Sequence, residues 1–243
     1  MSPLFKIPWV TVDIFRVDWL HCADQGISAD FLGNLFMILL NKLPGRNQKE
    51  RTRELWLRIV AFYDANGVEA RLTGLVHTMI KQDSKKPKLR CSAAQCRALV
   101  PFAQQCAEEL LSDAQPLEQA AKVAAKELNE CYRCLGSDCM FHADLLKDHS
   151  IRFALQYVAL HDAYSDDVRF ALKPKLRMFL ELCSEGSRPA CFWTYRDEDY
   201  GGTVAKLSRR RGGLLSAPAF SEGFLSRFKI YQPMIRMVVA PLF

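Results

Sequence analysis

Apolar residues recur at helical spacing along most of this chain and at strand spacing only near its ends. Phe31, Leu32, Leu35, Phe36, Leu39 and Leu43 form the densest stretch, which predicts a core helix from Ala29 to Leu43 stopped by Pro44 and Gly45. Arg46 to Asn66 reads as a second helix. Glu50, Arg51, Arg53 and Glu54 lie on its wet side, Leu55, Ile59, Phe62 and Tyr63 on its apolar side, and Gly67 is suited to its C-terminal cap. Leu72 to Ile80 reads as a short helix, followed by the charged, Pro-containing loop QDSKKPK, the expected nicking site. Ser92 and Gln95 form a capping box for a helix running towards Ser112, which Pro101 is expected to kink or interrupt. Gln115 to Cys134 opens on Pro116 and carries one stripe of Leu117, Ala121, Ala124, Leu128, Cys131 and Leu135. Ser150 is placed to cap a helix holding Phe153, Ala154, Tyr157, Val158 and Leu160. Pro174 opens another helix that runs to about Cys183, and Ala219 to Phe228 supplies a final helical piece.

Trp9 to Val17 alternates, with Val10, Val12, Ile14 or Phe15 and Val17 as β-branched or aromatic positions, and predicts a strand. Its candidate neighbours are Ala190 to Tyr195 and Ile235 to Ala240. The expected fold is therefore mainly α with a few strands, an α+β arrangement, and the absence of an internal repeat argues against a solenoid.

Composition narrows this only slightly. A chain of 243 residues makes one large domain or two small ones, and 49% hydrophobic with 25% charged residues excludes wholesale disorder. The net charge of +6 permits an acidic partner such as DNA without requiring one. Nine irregularly spaced cysteines, behind a start that has no secretory pattern, point to reduced thiols inside the cell, nuclear or cytoplasmic. No apolar run approaches the roughly 18 residues of a membrane span, so no membrane partner is expected.

Three clusters carry candidate chemistry. Asp18 and His21, in VDWLHCADQGISADFLG, sit where the expected strand hands over to a helix, ahead of a polar break ending in Gly26. They read either as a functional pair or as a helix cap with satisfied polar groups. The polar stretch WTYRDEDYGG, Trp193 to Gly202, contains Glu198 and precedes the basic residues Lys206, Arg209, Arg210 and Arg211. Those four read either as a solvated basic face or as contacts to phosphates. Cys131, Cys134, Cys139 and His142 have the spacing C-x2-C-x4-C-x2-H, which suits zinc. Cys131 also falls on the apolar stripe of its helix, which suits a buried thiol instead. Cys22 beside His21 is not a nucleophile pair, because sequence neighbours seldom have the required geometry. No phosphate-binding loop, dinucleotide glycine pattern or Ser-His-Asp context is present, so no small-molecule cofactor is expected.

The stretch VDWLHCADQGISADFLGNLF resembles the Asp-x-x-His segment of DDE transposases of the CACTA (transposase-21) type, through Asp18, His21, Leu32 and Gly33. Tyr195 and Glu198 match the Tyr-x-x-Glu context of that family's last catalytic acid, and Lys206 to Arg211 its following basic helix. The resemblance implies a truncated ribonuclease H-like edge with a large helical insertion, divided into 1–28, 29–189 and 190–243. It implies catalytic roles for Asp18, His21 and Glu198, with Asp18 and Glu198 on Mg²⁺, and DNA contacts from Lys206, Arg209, Arg210 and Arg211. Only 17 residues precede Asp18, so the two metal-binding aspartates that the family carries upstream are expected to be missing. The expectation is a transposase-derived protein that is inactive yet retains DNA binding; if active, it would be a metal-dependent strand transferase or nuclease. The alternative is a helical protein-interaction module with no nucleic-acid role.

Overall fold

The computed structural model describes residues 3–8, 11, 15–81, 86–136, 140–164, 169–195, 197–198, 200–202 and 205. The chain divides into two units, Met1–Trp193 and Thr194–Phe243.

The first unit is helical and is built around α1, Ala29–Leu40, in which all twelve residues are buried. A helix that is apolar over most of its circumference is stable only when it is enclosed. Here α2 (Gln48–Asn66), α3 (His77–Ile80), α4 (Ala93–Leu110) and the helical run just before α1 enclose it. Phe31 meets Phe153, Tyr157 and Phe170 with ring centroids 5.4 to 6.5 Å apart, and Phe36 meets Phe102 at 6.1 Å. Phe153 and Tyr157 lie on α6 (Ala143–Ala163), which packs against α5 (Pro116–Arg133) and α7 (Pro174–Ser184).

The expected caps hold. Ser92 and Gln95 form both bonds of the capping box, and Gly67 ends α2 at φ +60° in the left-handed region. Two expectations are corrected. α4 runs through Pro101 as one helix, Ala93–Leu110, so the interruption expected there does not occur. α6 begins at Ala143 and not at Ser150, whose buried hydroxyl donates to the Lys147 carbonyl at 2.7 Å within the helix.

The polar break expected before α1 is also corrected. Helix starts at Trp19 and continues as a nine-residue π-helix, Leu20–Ser28, directly into α1. Asp24, Gln25, Gly26 and Ser28 look like loop residues in sequence. In the fold they are helical because partners from distant segments satisfy them. The Tyr132 hydroxyl donates to Asp24 Oδ1 at 2.6 Å and lies 2.8 Å from Ser28 Oγ, so the serine is the donor in that second bond. The boundary expected at residue 28 therefore falls inside one continuous helical run.

Among the described residues there is no strand. Thr11 and residues 15–18 are irregular, the rest of the Trp9 to Val17 segment apart from these lies outside the described residues, and so does Ile235 to Ala240. The strand expected at Ala190 to Tyr195 is instead the 3-10 turn Pro189–Cys191, with helix resuming at Tyr195. A strand without a neighbour leaves its backbone groups unpaired, whereas a turn satisfies them locally. A ribonuclease H-like edge is thus not part of the described fold. In the second unit the described residues from Tyr195 to Ala205 are helical, and the Glu198 amide donates to the Thr194 carbonyl at 2.9 Å. The helix expected at Ala219 to Phe228 lies outside the described residues.

Candidate functional site

Asp18 and His21 do meet. Asp18 Oδ2 accepts the His21 backbone N–H at 3.0 Å and lies 2.6 Å from His21 Nδ1. The first bond is that of a helix N-cap reaching the third residue of the turn it opens. Asp18 is largely covered, with a side chain 16% exposed, while the His21 ring is 50% exposed. One oxygen of the carboxylate is thus engaged twice by its neighbour. Cys22, next in sequence, is buried, and burial above all pushes its thiol up to about 12, so it is inert as a nucleophile.

Glu198 is exposed and belongs to the second unit, while Asp18 and His21 belong to the first. Lys206, Arg209, Arg210 and Arg211 lie outside the described residues. Among the described residues no group of three His, Cys, Asp or Glu side chains is arranged to hold a metal ion. A magnesium pair needs several carboxylates. A single acid committed to a cap does not fit that role by itself. Of the zinc-like set, Cys139 is outside the described residues. Cys131 is fully buried, and His142 is exposed at the N-terminal boundary of α6. Burial, helped by Cys183 and Cys134, holds the Cys131 thiol well above its ordinary value, as suits a buried core cysteine.

The residues that sequence reasoning missed lie on the other side of the same helical run. α1 is apolar except at Asp30, Gly33 and Asn34, spaced i, i+3 and i+4 and therefore on one face. Two segments cross that face. Residues 86–90 lie against Gly33 so closely that an added Cβ would stand 2.5 Å from Lys88 Cα and N. The Leu89 amide donates to the Ala29 carbonyl at 2.8 Å. Asn34 Nδ2 donates to the carbonyls of Asp30 at 2.7 Å and Pro87 at 3.4 Å, while its Oδ1 accepts the Phe170 amide at 3.0 Å. One asparagine thus ties both crossing segments to the core helix.

Those segments deliver three lysines. Lys173 Nζ donates to buried Asp30 Oδ2 at 2.7 Å, and Lys88 Nζ stands 3.9 Å from Asp30 Oδ1. Lys88 also donates to the Gln25 carbonyl and Lys175 to the His21 carbonyl, each at 2.7 Å. Gly26 makes room for this, because a Cβ there would meet Lys175 Cδ at 2.7 Å. Burial, reinforced by Lys173 and Lys175 and opposed by Asp30, holds Lys88 below the ordinary lysine range. The signal available in sequence was the break of Asp30, Gly33 and Asn34 on one face of an otherwise apolar helix.

No family model, curated protein or solved structure matches the chain.

Proposed function

We propose that this protein is a non-catalytic, helical DNA-binding protein of transposase ancestry. The observation that carries the reading is the gathering of Lys88 and Lys173 at the buried Asp30 carboxylate, with Lys175 beside them on the His21 carbonyl. Lysines attract phosphates without reading sequence, and the positive net charge of the chain works in the same direction. The engagement of Asp18 as a cap supports a non-catalytic role, with Glu198 as a surface acid and Arg209 to Arg211 as further phosphate contacts. Fluorescence anisotropy with labelled duplex DNA tests the reading. Binding is expected at about 50 mM salt and weaker binding at about 200 mM, in keeping with counterion release. No DNA cleavage is expected with Mg²⁺ present. Absence of binding at the lower salt would sink the DNA reading, and Mg²⁺-dependent cleavage lost in Glu198→Gln would sink the non-catalytic one.

A second reading, a helical protein-interaction module, is favoured by α6. Ile151, Leu155 and Val158 are exposed there at spacing i, i+4 and i+7, which makes one apolar stripe. A chain that fails to bind DNA, but whose sedimentation changes in Leu155→Lys, would support it.

A further inference from the structure

We propose that Lys88, Lys173 and Lys175 form a built seat for a single phosphate group, the backbone phosphate of bound DNA, with His21 at its edge. The proposal deepens the DNA-binding reading and rests on it. Three observations carry it. The ammonium groups come from two separate segments, both fixed to α1 through Asn34 and the close crossing at Gly33, so their convergence is held by the fold and not by flexible side chains alone. Lys173 and Lys88 approach the buried Asp30 carboxylate, and Lys175, which bonds the His21 carbonyl, lies near enough to Lys88 to act on its charge. Asp30 is 3% exposed, and its Oδ1 carries no hydrogen bond. Lys88 and Lys173 remain 42% and 35% exposed at their side chains, which leaves N–H donors within reach of a ligand. An arriving phosphate would balance the surplus charge that now sets Lys88 against its two neighbours. The lysines are not salt-bridge partners to spare: Lys173 neutralises the buried acid, and the other two supply the free charge.

The test uses the full chain and two variants, Lys88→Gln/Lys175→Gln and Lys175→Gln alone. Both keep Lys173 and therefore the neutralised Asp30. The single variant removes a donor that bonds only the His21 carbonyl, which guards against a folding defect. Thermal unfolding reports the fold of each. Duplex-DNA affinity is measured across a salt series, with Arg209→Gln/Arg210→Gln/Arg211→Gln as the reference. The double variant is expected to flatten the slope of log K against log salt by about 1, the value for one phosphate contact, and to weaken binding at low salt by roughly tenfold. The single variant is expected to give about half that slope change. Unchanged slope and affinity in the double variant, with the arginine variant impaired, would overturn the seat and leave DNA binding standing. Inorganic pyrophosphate is the second arm. Stabilisation of the wild type that the double variant lacks supports the seat even if duplex DNA does not bind, and would assign it to a free phosphate compound. Neither DNA binding nor a pyrophosphate shift would overturn both the seat and the function.

Discussion

Asp18 shows how one residue carries two readings that only geometry separates. Its spacing to His21 is the same for a metal site and for an N-cap, because both require a carboxylate one turn ahead of its partner. The bonds at 3.0 and 2.6 Å are those of the cap. Asp18→Ala is therefore expected to cost about 1 kcal/mol of stability, as other lost N-caps do. Urea denaturation would read this as a lower midpoint. Asp18→Asn, which keeps an acceptor, should recover most of the loss. An Asp18→Ala variant as stable as the wild type would mean that the cap contributes nothing. Gly33 is a second such residue. In the family resemblance it belongs to a Leu-Gly step; in the fold it allows the backbone at Lys88 to cross α1. Gly33→Ala must push backbone away and is expected to cost about 3 kcal/mol, at the upper end for overpacking. Gly67→Ala meets no atom within 4 Å and pays only for its left-handed backbone, about 1 kcal/mol. Equal thermal midpoints for the two variants would contradict the close crossing.

At the scale of elements, the helices were legible where apolar spacing, capping residues and terminal prolines agree. α2, α5 and α7 follow the pattern closely. The π-helix Leu20–Ser28 was not legible, since what holds Asp24 and Ser28 is Tyr132, more than a hundred residues away. The strand expected at Ala190 to Tyr195 failed for the opposite reason. It is a candidate neighbour for the alternating segment before Asp18, but no strand among the described residues supplies a ladder. Glu118 gives a test of how elements are joined. It accepts the Ser112 amide at 2.8 Å and pairs with Lys42 at 2.5 Å, linking the end of α1 to the start of α5. Burial pushes its carboxyl up, but Lys42, the Ser112 N–H and Lys122 outweigh this and leave it below the ordinary value. A depressed carboxylate adds stability above the unfolded-state value of about 4.3, and that stability is lost as pH falls through the folded value. The stability difference between wild type and Glu118→Gln, followed by urea midpoints, should shrink as pH drops below about 4.3. A difference independent of pH would refute the linkage.

For the whole molecule, the lysine seat is a property of the fold that no local stretch displays. Asp30 and Lys173 are 143 residues apart in sequence and 2.7 Å apart in space. Sequence reading found the basic run at Arg209 to Arg211 because it is contiguous, took Lys88 as the end of the charged, nicking-prone loop QDSKKPK, and passed over Lys173 and Lys175 because they are scattered. The central claim is that DNA phosphates meet the protein at these scattered lysines. Its most direct test is lysine footprinting: acetylation of the full chain by an N-hydroxysuccinimide ester, with and without duplex DNA at low salt, read by mass spectrometry. The account predicts that DNA protects Lys88 and Lys175 severalfold, while Lys49 and Lys126, on α2 and α5, label as before. Equal labelling of Lys88 and Lys175 with and without bound DNA would contradict it.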